Sequence, residues 1–251
     1  MPLRLSLFFL SITLAVSACD RSEQRAQQVV DRAINVHGGD AFERSTVSFV
    51  FRGDMFEIRN SPAGDWHVIQ TTVDSLGTLR YVLHAQGVRA ERDGEQVTLS
   101  AEESHALETT LNSVSYFALL PYRLNDPAAQ KRHVRVDTIR AIEYDLVEVT
   151  FDQEGGGRDW EDRFLYWFAR DFGTLDFMAY EFQTGDGGTR FRAATNPRRV
   201  GPLLITDHVN YTADREGQRA RLEEYAHLYE HGAVEYVSNV NLAEVQVRAS
   251  D

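Results

Sequence analysis

The sequence predicts an α+β fold: a single curved antiparallel β-sheet with helices packed in its hollow. Three observations carry this. First, the stretches near 46–99 and 144–211 place apolar residues at every second position, the period of a half-buried strand. Second, tight breaks such as Asp93-Gly94 and Asp171-Phe172-Gly173 separate these runs. Such breaks are too short for the crossover that a parallel sheet needs. Third, residues 163–170 are apolar on both faces, Phe164, Tyr166 and Phe168 against Leu165, Trp167 and Ala169. That strand requires cover on two sides.

The N-terminal residues 1–18 are expected to be a signal peptide. Arg4 gives a positive start, and Leu5 to Val16 form an apolar stretch too short to span a bilayer as a mature helix. The stretch ends in Val16-Ser17-Ala18-Cys19, and Cys19 is the only cysteine of the 251 residues. This resembles the bacterial lipobox, which implies cleavage before Cys19, a diacylated Cys19 sulfur and an amine acylated with a palmitate-type chain. Several acyl chains anchor firmly where one would not. The implied location is the cell envelope, tethered to a bacterial membrane and facing the periplasm or the exterior. The mature chain would hold no disulfide, so its stability must come from packing.

The remaining elements follow in order. Residues Ser22–Val36 read as a helix with Ala26, Val29, Val30, Ala33 and Val36 on one stripe, stopped by Gly38-Gly39. His37 lies at that end, where a positive charge favours the dipole. Strands are expected near 46–59, 65–74, 77–84, 87–92 and 95–99, with a turn at Pro62-Ala63-Gly64-Asp65. A second helix spans 101–120, opened by a capping box of Ser100 and Glu103 and ended by Pro121. Its stripe is Leu107, Leu111, Val114, Phe117, Ala118 and Leu120.

Beyond the break Asn125-Asp126-Pro127 lies a short polar segment. Strands then cover Tyr144–Phe151, 163–170, Asp176–Phe182, Thr189–Thr195 and Leu203–Tyr211, with Pro197 and Pro202 as breaks. A last helix is expected over Gln218–Glu230 and a last strand over Val234–Val247. Repeats and long linkers are absent from the sequence, so residues 19–251 read as one domain.

The chain carries 38 acidic against 26 basic residues, a formal net charge of −12. It shows no basic stripe, so nucleic acid is not an expected partner.

Three segments resemble the lipoprotein-carrier superfamily that includes LolA, LolB and LppX. They are Tyr144–Phe151, the run from Arg163 through Asp171-Phe172-Gly173 to Leu175, and Phe177–Phe182. Within that group, residues 154–162 and Asn112–Pro121 resemble signatures of a narrower family of secreted bacterial lipoproteins without an assigned activity. The resemblance covers most of residues 22–247. It implies a half-barrel whose concave face holds acyl chains, and hence a binding function.

Residues that carry chemistry elsewhere are sparse. His227 and His231 lie four apart beside Glu230, but the zincin pattern His-Glu-x-x-His and a third ligand are missing. Asp152, Glu154, Asp159, Glu161 and Asp162 surround a triple glycine, an oxygen-rich loop that leaves calcium open, though not at EF-hand spacing. A Gly-x-Ser-x-Gly elbow is absent and Cys19 is committed to lipid, so no nucleophile stands out. The sequence therefore points to a non-enzymatic protein with no cofactor and no metal. It would bind a lipid, an acyl chain or a lipoprotein, with the helix around 107–120 as a lid. The candidate cavity residues are Phe49, Phe51, Trp66, Tyr116, Phe117, Leu120, Tyr166, Phe168, Met178 and Tyr180. An envelope sensor or scaffold binding a protein partner through the same fold is the alternative, and a hydrolase built on the acidic loop trails both.

Overall fold

The computed structural model describes residues 5–60, 66–154, 160–183 and 186–250, with side chains from Arg21 onward. The turn at 62–65, the triple glycine with Asp159, Arg4 and the side chain of Cys19 lie outside the described residues. The first half contains α1 (Leu5–His37), β1 (Ser45–Phe51), β2 (Asp54–Asn60), β3 (Trp66–Asp74), β4 (Gly77–His84), β5 (Gly87–Arg92), β6 (Glu95–Val97) and α2 (Ala101–Ala118). The second half contains β7 (Ala129–Ile139), β8 (Ile142–Phe151), β9 (Arg163–Ala169), β10 (Leu175–Phe182), β11 (Gly188–Val200) and β12 (Leu203–Thr212). Then follow α3 (Tyr225–Glu230), β13 (Glu235–Val240) and β14 (Ala243–Ala249).

These strands form two open seven-stranded sheets, ordered β14-β1-β2-β3-β4-β5-β6 and β13-β12-β11-β10-β9-β8-β7. The expected class holds: antiparallel, unclosed and with few helices. The residues gather into two compact units. The first comprises Met1–Ala33, Leu124–Phe191 and Tyr211–Glu235, and the second Ile34–Arg123, Arg192–Asn210 and Tyr236–Asp251.

In the first unit both faces of β9 are closed. Register places Asp145, Val147 and Val149 of β8 opposite Phe168, Tyr166 and Phe164, so these six share one face. Helix α1 covers it: Arg25 binds Asp145 at 2.7 Å and Arg32 donates to the carbonyls of Arg170 and Asp171. Ala26, Val30 and Ala33 on that helix are fully buried. The opposite face carries Leu165 and Trp167 and is covered by the segment around α3. Phe191 meets Trp167 edge-on at 5.8 Å and stacks on Tyr225 at 5.6 Å. Arg163 joins Glu148 of the sheet to Glu223, just before α3. The two-sided apolar pattern of β9 thus has its two covers.

In the second unit α2 packs on β3, β4 and β5. Its start is the expected capping box, with Glu103 N donating to Ser100 Oγ at 3.2 Å and Ser100 N to Glu103 Oε2 at 2.8 Å.

Several expected elements are revised. The segment 46–59 is a hairpin, turned at Arg52-Gly53, where both residues have positive φ. That geometry suits a two-residue hairpin loop, but an arginine in its first position hides it in sequence. The polar segment after Pro127 is the eleven-residue strand β7, and Arg140-Ala141, again both at positive φ, returns it to β8. Its alternation is masked because His133 and Arg135 occupy half-buried positions. Pro197 does not end β11; Asn196 before it has φ 47°, a local irregularity that admits proline inside a strand. The last helix is shorter than expected. Residues 215 and 218 form a turn bonded both ways at 2.9 Å, and the α-helix begins only at Tyr225. The expected last strand is two strands: β13 pairs in the second sheet, whereas β14 pairs with β1 in the first.

The turn before α3 hangs on Asp214. Its carboxylate accepts from Thr189 N, Thr189 Oγ1 and Ala220 N, and Thr189 Oγ1 also meets the hydroxyl of the buried Tyr225 at 2.7 Å. Asp214→Ala leaves these donors without their acceptor. Urea unfolding is expected to show a loss of about 3 kcal/mol, against less than about 0.5 kcal/mol for a surface change such as Glu43→Ala.

Candidate functional site

The aromatic residues singled out in sequence fall into two groups, one per unit. Tyr166, Phe168 and Met178 belong to the first unit and have essentially no exposed surface. Tyr180, half-buried, stacks on Phe164 at 5.5 Å. That group is a closed core.

The second group is built differently. Cross-strand register puts Val47, Phe49 and Phe51 of β1 on one sheet face with Ile58, Phe56 and Asp54 of β2. Trp66, Val68 and Gln70 of β3 continue that face, followed by Leu83 and Tyr81 of β4 and Val88 of β5. The centre is packed: Phe49 is fully buried and stacks on Phe56 at 5.7 Å. Around this centre, Phe51, Trp66, Tyr81 and Val88 are only partly buried.

Helix α2 covers this face incompletely. Of its eighteen residues only Leu111 and Ser115 are buried. Leu107, Val114, Phe117 and Ala118 are only partly buried along the rest of the stripe. Tyr116 and Phe117 meet edge-on at 5.5 Å. Leu120, past the helix end, is buried at 8% exposure. Three partly buried rings lie beneath guanidinium groups: Phe51 under Arg52 at 5.1 Å, Trp66 under Arg123 at 5.1 Å and Phe117 under Arg192 at 3.9 Å. Cation–π contact lets these rings stay partly wet at lower cost. Chemically, the arrangement is an apolar sheet wall with a packed centre, and around it a rim and a covering helix face that are only partly buried.

A buried polar group missed in sequence lies in the same unit. Asp207 accepts from Asn196 Nδ2, Arg198 and the backbone N–H of Leu242, at 2.8 to 3.1 Å. It thereby fixes the chain where β13 passes into β14. His208 and His37 are buried nearby in the fold. Burial, with Arg192 close by, pushes His208 down to about 3, and burial pushes His37 down to about 4. His37 is therefore uncharged at neutral pH and does not complement the helix dipole as its position suggested. Period-two alternation on β12 would have placed both Asp207 and Ile205 inward. An aspartate in an apolar run was the available signal.

The metal candidates gain no third ligand. The His227 and His231 rings lie tilted against each other with centres 4.1 Å apart, and His231 Nδ1 lies 2.8 Å from the His227 carbonyl. Among the described residues, no group of three or more His, Cys, Asp or Glu side chains is placed to hold a metal ion. In the acidic loop Asp152 is bonded to Gln130 at 2.7 Å and Asp162 is buried, while Glu154 and Glu161 are exposed. Among the described residues no helix is long and apolar enough to cross a membrane.

The chain belongs to the family of unknown function DUF6503, whose model matches residues 4–242. None of the curated proteins matches it. In fold it is similar to the crystal structure of a LolA superfamily protein from Nitrosomonas europaea, at 12% identity and TM-score 0.50, covering 89% of this chain and 93% of that one. It is also similar to a DUF1329 family protein from Desulfovibrio piger, at 8% identity and TM-score 0.48, covering 88% and 92%. The Mycobacterium tuberculosis lipoprotein LppX aligns over 65% of this chain and 91% of its own, at 9% identity and TM-score 0.29. The fold implied by the sequence resemblance is the fold found.

The two buried histidines make stability depend on pH. Their folded values lie below the ordinary 6.5, so the unfolded chain binds more protons below that value and stability falls as pH drops. Between about pH 6.5 and 4 the expected loss is on the order of 3 kcal/mol for each histidine. Denaturation curves at pH 7, 5.5 and 4.5 check this, and His37→Gln should flatten the slope.

Proposed function

We propose that this DUF6503 chain is a lipid-anchored protein of the bacterial cell envelope that binds an apolar ligand without catalysis. Cys19 carries the anchor, and the ligand lies between α2 and the sheet face of Phe49, Phe51 and Trp66. One observation carries the reading. In the second unit the rim of the apolar sheet wall and most of the helix over it are only partly buried, while Tyr166, Phe168 and Met178 of the first unit are fully buried. A ligand's chain that fills this space removes apolar surface on both walls from water, at about 25 cal/mol per Å². The ligand class is therefore a lipid or an acyl chain, including that of a lipoprotein.

The motion required is small. Leu111 is the one fully buried apolar side chain of α2, so the helix can lift with limited loss and act as a lid. Phe117 and Leu120, at its C-terminal end, are the residues that a bound chain meets on the helix side. Tyr166, Phe168, Met178 and Tyr180 support the fold and do not contact the ligand.

A second reading, binding of a protein partner, is favoured by β13. It is the end strand of its sheet, and Tyr236 and Val237 on it are 62% and 40% exposed. A strand edge of that kind accepts another strand.

Native mass spectrometry on the protein purified from its own membranes separates the two. The expected spectrum contains an apolar adduct, identified by lipid extraction, that is lost in Phe117→Glu and retained in Phe172→Glu on an exposed turn. A spectrum without adduct, together with no uptake of added oleate or phospholipid, would overturn the lipid reading and leave the partner at β13.

A further inference from the structure

The sheet wall of the proposed ligand site carries one polar patch. Asp54, Gln70 and Thr72 share the face of Phe49 and Phe56, since Asp54 stands across from Phe51, and Gln70 across from both Phe56 and Tyr81. Asp54 accepts from Gln70 Nε2 at 2.8 Å and from Thr72 Oγ1 at 2.7 Å. The first of these bonds fixes the orientation of the Gln70 amide, because its NH₂ end must face the carboxylate. The Gln70 carbonyl oxygen is left pointing elsewhere. It is buried and accepts no hydrogen bond from the described residues.

Buried acceptors without a donor are rare in native interiors and call for an explanation. The buried orphan here is an acceptor, Gln70 Oε1; Asp54 and the Thr72 hydroxyl keep further lone pairs, and the second N–H of Gln70 is the one open donor beside them. The nearby arginines do not change the sign. Arg92 is held by Asp74 at 2.9 and 3.2 Å, and Arg52 lies over the Phe51 ring in the turn.

We infer that the polar end of the ligand is a hydrogen-bond donor, a hydroxyl, amide or ammonium group, received by Gln70 and Asp54, and not a carboxylate or phosphate. The inference rests on the apolar-ligand reading above and adds the ligand's headgroup class. A donor satisfies Gln70 Oε1, and a cation is further favoured by the Asp54 charge. An anion would meet that charge in a site of low dielectric, where repulsion is strong. The chain of such a ligand then runs from this patch along Phe56 and Tyr81 into the aromatic wall.

The test is a competition between three amphiphiles with one C18 chain: oleyl alcohol, oleylamine and oleate. Each is added in equal amount to the full protein in detergent, and adducts are read by native mass spectrometry. Oleyl alcohol and oleylamine are each expected to exceed oleate by roughly tenfold. Gln70→Leu should bring the alcohol-to-oleate ratio close to one. Asp54→Asn, which keeps the shape and removes the charge while turning one of the two accepting oxygens into an NH₂ donor, should remove the extra preference for the amine even if Gln70→Leu folds poorly. Equal binding of all three, a preference for oleate, or ratios unmoved by both variants would overturn the headgroup assignment and leave the apolar-ligand reading standing. Binding of none would overturn both.

Discussion

An apolar sheet face must be covered, and how completely each face is covered decides what each part of this molecule can do. β9 sets the strictest demand, because Phe164, Tyr166 and Phe168 point one way and Leu165 and Trp167 the other. A strand of that kind is stable only between two covers, and both are tied down by charge as well as by packing. Arg25 reaches Asp145 on one side, and Arg163 joins Glu148 to Glu223 on the other. Burial raises Asp145, but hydrogen bonds from His133 and Arg25 outweigh it and hold the carboxyl below its ordinary range. The closed core is therefore pinned at its edges, and fully buried rings such as Trp167 and Tyr166 fill it. Fully burying one such side chain contributes about 1.5–3 kcal/mol.

The second unit meets the same demand only in part. Phe49, Val47, Ile58 and Val68 are buried as deeply as any residues of the first unit. They give the sheet a packed centre that does not need a ligand. The surrounding ring of Phe51, Trp66, Tyr81 and Val88 is what α2 leaves partly open. Asp207 and Arg198 matter here because they fix the Leu242 backbone, and through it the passage from β13 to β14, against which β1 pairs. The wall's centre is packed, and its rim and cover are only partly buried.

Much of this was legible in the sequence because it rests on local signals. The capping box at Ser100 and Glu103, the glycine stop after His37 and the two-sided apolar run of β9 each state their structure within a few residues. What was hidden depends on partners far along the chain or on backbone conformation. The Arg52-Gly53 and Arg140-Ala141 turns need positive φ at Arg52, Arg140 and Ala141, which rarely adopt it, so one hairpin reads as a single strand and β7 reads as a loop. Val234–Val247 alternates without a strong break, yet its halves pair with β12 and β1, strands that stand far apart in sequence. On the strands, alternation put Phe49, Phe51 and Trp66 on one sheet face and Tyr166 and Phe168 on another, because it determines which face a side chain occupies. Which of them end in a closed core and which in an open wall is set by the fit of the covering helix. The apolar stripe of α2 looks as complete as that of α1, but only one of its apolar residues is fully buried.

That incomplete fit is also where binding energy can come from. If α2 closed fully on the wall, its stripe would contribute to folding in the absence of ligand, and a ligand would have to displace it at equal cost. With Leu107, Val114 and Phe117 only partly buried, the free energy of covering them is left to whatever enters. A bound chain then stabilises the protein by mass action, through the same contacts that hold the ligand. The closed first unit removes any need for the ligand in folding. On the proposed function, one set of apolar contacts maintains the folded state while a second set is open to a ligand, so a bound chain could leave without unfolding the protein.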